Sequence, residues 1–372
     1  MGLRIAQVLE KTSLATGSVR QMVEAARELA RRGHQVVVVT RPDPVLAAEL
    51  VNTPVHVHPL PLRHELDFAS ARAFARLARE WQLQVVHVHK GIAHAVALGA
   101  TYLGARYALF VNRGVSFPVG FFSRWKYRSP RVTGVVAVCD AIREVVLRST
   151  GLPPERVVTV YAGVDTERFH PNRVNAKKVR QELGIAPEAP VVGHVGIRDW
   201  KGWRELVAAF VEVRARVPEA ELLLVGCKNE KQRQGVLEYA QSLGLRSGVH
   251  ATLARLDMPE VLAACHVVVD PSWAGTGITG TIREAMALEK PVVATDVGGN
   301  RELVVDGECG LLIPPRDPAL LAAAVVRLLT DPDLAKRLGE AARARVVAGF
   351  STAVRGQRLQ HLYEEAVARL GL

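Results

Sequence analysis

Apolar residues in this chain come in short unbroken runs separated by stretches with helical spacing. Arg4 to Leu9 reads as a buried strand and Glu10 to Ser18 as a glycine-containing loop, while Val19, Met22, Val23, Ala26, Leu29 and Ala30 share one face of a helix that Gly33 ends. His34 to Thr40 then supplies a valine strand. The plan returns in the second half. Pro190 to Val195 is a strand, Gly196 to Gly202 a loop, Trp203, Leu206, Val207, Phe210 and Val213 a helix stripe, and Glu221 to Val225 a strand closed by Gly226. Continuous Val/Leu strands alternating with amphipathic helices belong to parallel sheets covered on both faces. The pattern predicts an α/β chain with two Rossmann-like, doubly wound domains in tandem.

Further strands are expected at Gln84 to His89, Ala108 to Val111, Val132 to Cys139 and Val157 to Tyr161, and then at His266 to Asp270, Pro291 to Thr295 and Gly310 to Ile313. Gly163 to Pro171 lacks periodicity and reads as the linker, which gives an amino-terminal domain over 1–165 and a second over 166–350. Asp317 before Pro318 is a helix cap with proline at the first helical position. Residues 351–372, striped at Leu359, Leu362, Ala366 and Leu370 with no strand after them, form a terminal helix expected to cross back to the first domain. Open parallel sheets bind ligands at the carboxyl ends of their strands, so two facing sheets place a site in the cleft between them.

Composition narrows the picture only slightly. The 372 residues, 49% hydrophobic and 23% charged, fit an ordinary globular protein of two domains. The longest weakly polar stretch, Ala95 to Val111, carries Arg106 and two glycines and falls short of a membrane span. The start of the chain has neither the length nor the flanks of a signal peptide, and the four cysteines are scattered, with no C-x-x-C pair. A cytoplasmic location follows as the simplest expectation. The net charge of +11 is lopsided: residues 1–172 hold 22 Lys and Arg against 13 Asp and Glu. Such a field suits an anionic membrane surface or an acidic acceptor, although arginine-rich drift alone would also produce it.

Several positions carry candidate chemistry. Gly275 to Gly280 matches G-x-G-x-x-G, with Asp296 21 residues on, as in a dinucleotide fingerprint. Four residues separate the preceding strand from the first glycine, whereas that fingerprint turns at once from strand to helix. What survives is an anion cradle from the backbone N–H groups of Thr279, Gly280 and Thr281 at a helix start. Glu284, expected in the first turn, either complements the helix dipole or accepts hydrogen bonds from a ribose. Arg198 and Lys201 lie on the loop before Gly202 and are placed to reach a diphosphate. His87 and His89 alternate on a strand and are read as lining the cleft; a metal site would need a third ligand that no sequence neighbour supplies. Phe117 to Arg131 interleaves aromatic and basic residues. That segment is either a core helix with its charges in water or an interfacial patch for anionic lipid.

Taken together, these segments resemble the GT-B glycosyltransferases of family 4 over nearly the whole chain. The resemblance rests on the loop with Gly17, Tyr161-Ala162-Gly163-Val164-Asp165 with Phe169 and Pro171, the Arg198…Lys201-Gly202 loop, and Leu222 to Gly226. It continues through Pro271-Ser272, Arg283-Glu284-Ala285-Met286-Ala287, Pro291 to Gly299 with Glu302, and Gly310 to Pro315. It implies a retaining, metal-independent enzyme of cell-envelope or lipopolysaccharide type, with a nucleotide-sugar donor, a glycan or lipid-linked acceptor and no cofactor. Arg198, Lys201 and Glu284 would be its catalytic set. Gly17, Ser18, Arg113, Gly226, Thr276, Thr279, Gly280 and Thr281 would be its donor-binding set. Three positions depart from the family pattern. Thr276 stands where the first of two glutamates is usual, Gly17-Ser18 replaces Gly-Gly, and Asn112-Arg113-Gly114 occurs where many members place a histidine. Arg113 could meet donor phosphate or an anionic acceptor, or pair with a carboxylate. Against the glycosyltransferase reading stand an NAD(P)-dependent oxidoreductase built on Gly275 to Gly280 and a sugar-nucleotide binding protein with little turnover, motivated by Thr276. The nucleic-acid reading is not carried further, since no recognisable module is present. Peripheral attachment to the inner face of the cell membrane through residues 117–131 is left open.

Overall fold

The computed structural model describes residues 2–14, 16–275 and 277–372. The chain divides into two compact units, one of residues 1–163 and 352–372 and the other of residues 164–351. In the first, β1 (Arg4–Leu9), β2 (Gln35–Thr40), β3 (Val55–Pro59), β4 (Val85–Val88), β5 (Ala108–Arg113), β6 (Gly134–Ala137) and β7 (Val157–Thr159) form a sheet in the order β3-β2-β1-β4-β5-β6-β7. In the second, β8 (Val191–Val195), β9 (Glu221–Cys227), β10 (Val249–Leu253), β11 (Val267–Asp270), β12 (Val292–Thr295) and β13 (Leu311–Ile313) follow the order β10-β9-β8-β11-β12-β13. Every ladder in both sheets is parallel. Each sheet reverses its direction of growth once, between β1 and β4 and between β8 and β11, and that switch point leaves a crevice at the carboxyl ends of the two strands.

Central strands such as Val36 to Val39 and Val267 to Val269 are fully buried, as a sheet with helices on both faces requires. Two strands escape the sequence pattern, β3 and β10, and both are edges. Val55-His56-Val57-His58 and Val249-His250-Ala251 are half-exposed and interrupted by polar residues, because an edge strand need not be apolar along its length. Asp317 caps its helix as expected, accepting from the Leu320 amide at 3.0 Å, and Asp331 repeats the device at the start of helix Pro332–Gly349. The expected linker is not a loose tether. Its residues after Gly163 belong to the second unit, where Val164 bridges Ser351 and Phe169 is buried.

Helix Thr352–Leu370 belongs to the first unit. Its buried face differs from the expected stripe. Leu359 and Ala366 are inside with Tyr363 and Val367, whereas Leu370 is exposed. The helix lies close against helix Gly17–Arg31 at Gly356, where a Cβ would come within 2.3 Å of Glu28 Cγ. Tyr363 reaches the sheet itself, and there His87 and His89 prove to be core residues beneath this helix, not residues lining a cleft. Strand alternation does put the two rings on the same side, stacked at 4.9 Å, but that side is the one the helix covers.

Gln7, His87, His89 and Tyr363 form one buried chain of hydrogen bonds. Gln7 Oε1 accepts from His89 Nε2 at 2.7 Å, Gln7 Nε2 donates to the Tyr363 hydroxyl at 3.5 Å, and that hydroxyl meets His87 Nδ1 at 2.5 Å. This order works with both imidazoles neutral, the tyrosine donating to His87. Burial pushes His87 well below the ordinary histidine value and His89 down to about 3, and it holds His94 near 3 as well. An unfolded chain takes up these protons from about pH 6.5 downward while the folded one refuses them, so stability held above that pH is lost on acidification.

Two outcomes follow. Between pH 7.5 and 5, stability should fall by about 2 kcal/mol per buried imidazole, at ~1.4 kcal/mol per pH unit below 6.5; denaturant titrations at several pH values measure it, and a flat profile would contradict neutral burial. Carboxylates such as Asp67, held at about 2, contribute only at lower pH. Tyr363→Ala should cost about 3–5 kcal/mol, as for other large buried rings.

Candidate functional site

The second unit carries most of the expected residues at the carboxyl ends of β8, β9 and β11. Asp270 is the last residue of an otherwise all-valine strand and is 1% exposed. Lys201 Nζ meets its Oδ2 at 2.9 Å, and Oδ1 accepts the Ser272 amide at 3.2 Å. Burial alone would raise this carboxyl. The charge of Lys201, followed by that of His194 and the hydrogen bonds from Ser272 and Lys201, outweighs burial and holds it below the ordinary value, so Asp270 is ionised at neutral pH.

That pair draws the loop after β8 against the loop after β11. The Trp273 amide donates to the Trp200 carbonyl at 2.9 Å and the Trp273 indole to the Asp199 carbonyl at 3.0 Å. Gly202 makes the closest approach, with φ +69° and a hypothetical Cβ only 2.0 Å from the Pro271 carbonyl oxygen. A side chain there is excluded both by conformation and by space. Arg198 and Lys201 then flank one ring, Arg198 Cζ 5.8 Å and Lys201 Nζ 5.3 Å from the Trp200 centroid. Arg198 is exposed, whereas Lys201 is largely covered. Gly226, at φ +102°, sits beside Gly196 where β8 and β9 end.

The loop that receives these contacts leads into helix Gly280–Ala287. Its cap position, Thr279, is buried and turns its hydroxyl to Asn300 Oδ1 at 3.1 Å instead of capping the helix. Asn300 is in turn tied to the Thr295 carbonyl. The first turn, with Gly280 and Thr281, contains no acidic residue, so no side chain of the helix itself offsets the positive end of the dipole. Glu284 lies in the second turn, not the first, half-buried, because the helix begins at Gly280 and Thr279 is its cap. Thr276 lies outside the described residues. The dinucleotide reading does not fit this geometry: residues 271–279 separate the end of β11 from the helix, where that fingerprint turns directly.

Gly17, Ser18 and Arg113 belong to the first unit. Gly17 opens helix Gly17–Arg31, whose cap Thr16 makes no side-chain bond to it and whose first turn is also free of acidic residues. Arg113 ends β5, donates to the Phe117 carbonyl and hydrogen-bonds the Tyr127 hydroxyl, a partnership with neutral oxygens. Residues 117–131 are not a core helix. A turn at Phe121–Ser123 and a short helix at Arg124–Arg128 hold Lys126 and Tyr127 inside and leave Phe117, Phe121, Phe122 and Trp125 outside.

Sequence reasoning overlooked Asp270, Trp200 and Trp273. The signal for the first was present, a lone carboxylate closing a buried strand. Among the described residues, no three His, Cys, Asp or Glu side chains group as a metal site would need, and no helix is long and apolar enough to cross a membrane.

Comparison with known proteins extends this picture. A family model for glycosyl transferases group 1 matches residues 189–331, and one for glycosyltransferase family 4 matches residues 15–168. The chain is 30% identical over 383 residues to 2-deoxystreptamine N-acetyl-D-glucosaminyltransferase of Streptomyces fradiae, covering 94% of this chain and 90% of that enzyme. It is 35% identical over 250 residues to alpha-maltose-1-phosphate synthase of Mycolicibacterium smegmatis, an alignment covering 63% of each. The solved structure of Anabaena HepE in complex with UDP and glucose matches with a TM-score of 0.82 at 23% identity, over 97% of this chain and 99% of that one. Matched through both halves by these models and along its length by the Streptomyces enzyme, the chain belongs to the family 4 glycosyltransferases and has their GT-B fold.

Proposed function

We propose that this protein transfers a sugar from a nucleoside-diphosphate sugar to a hydroxyl of a glycan or lipid-linked saccharide, with retention at the anomeric carbon. The observation that carries the reading is the Lys201–Asp270 pair, which fixes a cation beside the loop leading into an uncapped helix start. HepE, of like fold, is known with UDP, which fits a donor of this class. In this reading Arg198, Lys201 and the amides of Thr279 to Thr281 take the diphosphate, Glu284 the ribose, and Gly226 allows the donor close to the strand ends. Thr276 meets the donor sugar, while Gly17, Ser18 and Arg113 serve the sugar-phosphate or an anionic acceptor.

The bond from the anomeric carbon to the phosphate oxygen breaks while the acceptor oxygen bonds that carbon on the same face. The acceptor proton passes to the departing phosphate oxygen. Arg198 and Lys201 stabilise the charge that develops there, so the reading calls on no metal, cofactor or protein nucleophile. The four cysteines, all buried and unbridged, suit a reducing compartment, and we place the reaction on the cytoplasmic side. A lipid-linked acceptor would bring the first unit to a membrane.

A melting screen with UDP, GDP and ADP should identify one base, since ligand at a hundredfold its Kd stabilises by about 2.7 kcal/mol. Anomeric NMR of the product should show retention; an inverted linkage would overturn the mechanism. Measurable donor hydrolysis in the wild type, lost in a folded Glu284→Ala variant, would exclude a protein that only binds.

The two cations should separate in their effects. Arg198→Ala, at an exposed position, should leave stability within about 0.5 kcal/mol and weaken donor binding by about tenfold or more, a lost charge-assisted bond. Lys201→Met should also destabilise the fold by about 3–5 kcal/mol, because it strands a buried carboxylate, and adding Asp270→Asn should recover much of that loss. Additive effects on stability would show that the pair is not coupled.

A further inference from the structure

Four large aromatic side chains of the first unit point away from it. Phe117 is 50% exposed, Phe121 75%, Phe122 87% and Trp125 61%, all within residues 117–125 after β5. The segment is not loose. Lys126 Nζ, itself buried, meets Glu65 Oε1 at 2.6 Å; the Tyr127 ring stands edge-on to His94 at 5.1 Å; and the Val119 amide donates to Ser149 Oγ at 3.1 Å. Residues pinned from beneath thus alternate with rings held outward. Phe121 and Phe122 pack edge to face at 5.6 Å, and the Arg124 guanidinium lies 5.7 Å from the Phe121 ring centre.

Next to the anchor in sequence, Leu66 and Phe68 after Glu65 are exposed as well. A contiguous apolar patch kept in water is costly and marks a contact surface. Charge selects the partner. From residue 113 to 131 there are five basic residues and no Asp or Glu. Glu65 neutralises Lys126, which leaves the arginines to set the field around the rings. Aromatic rings seated among arginines match an anionic bilayer, where rings settle at headgroup depth and guanidinium groups meet lipid phosphate. A helix of only five residues can wedge into that interface but cannot enter further.

We infer that Phe117, Phe121, Phe122 and Trp125, with Arg124 beside the Phe121 ring, form a docking surface for an anionic membrane. The inference needs no donor or acceptor, so its failure and that of the transfer reaction can be told apart. The full chain is sedimented with vesicles of phosphatidylcholine, with and without 30 mol% phosphatidylglycerol (roughly the anionic share assumed for a charged leaflet). Wild type should partition to the anionic vesicles and release as salt rises. Phe122→Ser with Trp125→Ser should weaken partition by about tenfold or more, and Arg124→Gln by about fivefold on anionic vesicles alone. Phe121, Phe122 and Trp125 are exposed, so the melting temperatures of the aromatic variants should hold, and Phe121→Ser alone provides a milder second variant. Failure of wild type to bind anionic vesicles, or aromatic variants binding as wild type does, would overturn the proposal. So would a dimer in sedimentation velocity that the aromatic substitutions dissolve while vesicle binding stays absent.

Discussion

A carboxylate at the end of a buried strand has to be paired, and much of the second unit's site follows from how Asp270 meets that demand. An isolated charge there would cost several kcal/mol. Lys201 supplies the partner at 2.9 Å, and to do so the loop after β8 must lie against the loop after β11. Gly202 is then pressed onto the Pro271 carbonyl, and the two tryptophan hydrogen bonds close the seam. The pairing also changes what Lys201 is. A lysine in solvent searches many rotamers, but this ammonium is fixed before any ligand arrives, so a phosphate binding it loses less entropy. Asp270 balances its charge, whereas the exposed Arg198 meets no carboxylate among the described residues.

The fold was legible because central parallel strands are apolar on both faces, and runs such as Val36 to Val39 announce themselves. What was hidden follows from the same physics. β3 and β10 lie at sheet edges, where histidines and threonines interrupt the apolar run. The terminal helix was visible as a helix, but its register was off, since Tyr363 and Arg355 are buried as polar partners that a hydrophobic stripe does not count. His87 and His89 show the limit of strand alternation. It states that two rings share a side, not whether that side meets solvent or another helix.

The candidate site was readable in part for a similar reason. Arg198, Lys201, Thr279 and Gly280 stand at strand ends and a helix start, positions that topology alone marks. Asp270 was passed over because its partner lies 69 residues away, and such a pairing exists only once β8 and β11 are neighbours. Glu284 was placed one turn too early, because the helix already begins at Gly280, a residue whose type gives no sign of a helix start.

The two units repeat one strand order yet treat their switch points differently. At the β1/β4 point, the nearly buried Glu10 reaches across to accept the Ala93 amide at 3.2 Å, so the start of helix Gly91–Tyr102 is already occupied by a carboxylate of the chain. At the β8/β11 point, Thr279 turns its hydroxyl away to Asn300 and the first turn of helix Gly280–Ala287 holds no acidic residue. Aligned peptide dipoles exist at both helix starts, so the dipole alone cannot decide where an anion settles. The helices that follow β4 and β11 differ in whether the sequence has already neutralised the start. A shared fold therefore offers two equivalent crevices, and a few side chains, Glu10 in one and Thr279 with Asn300 in the other, give the helix starts after β4 and β11 opposite surroundings for an anion.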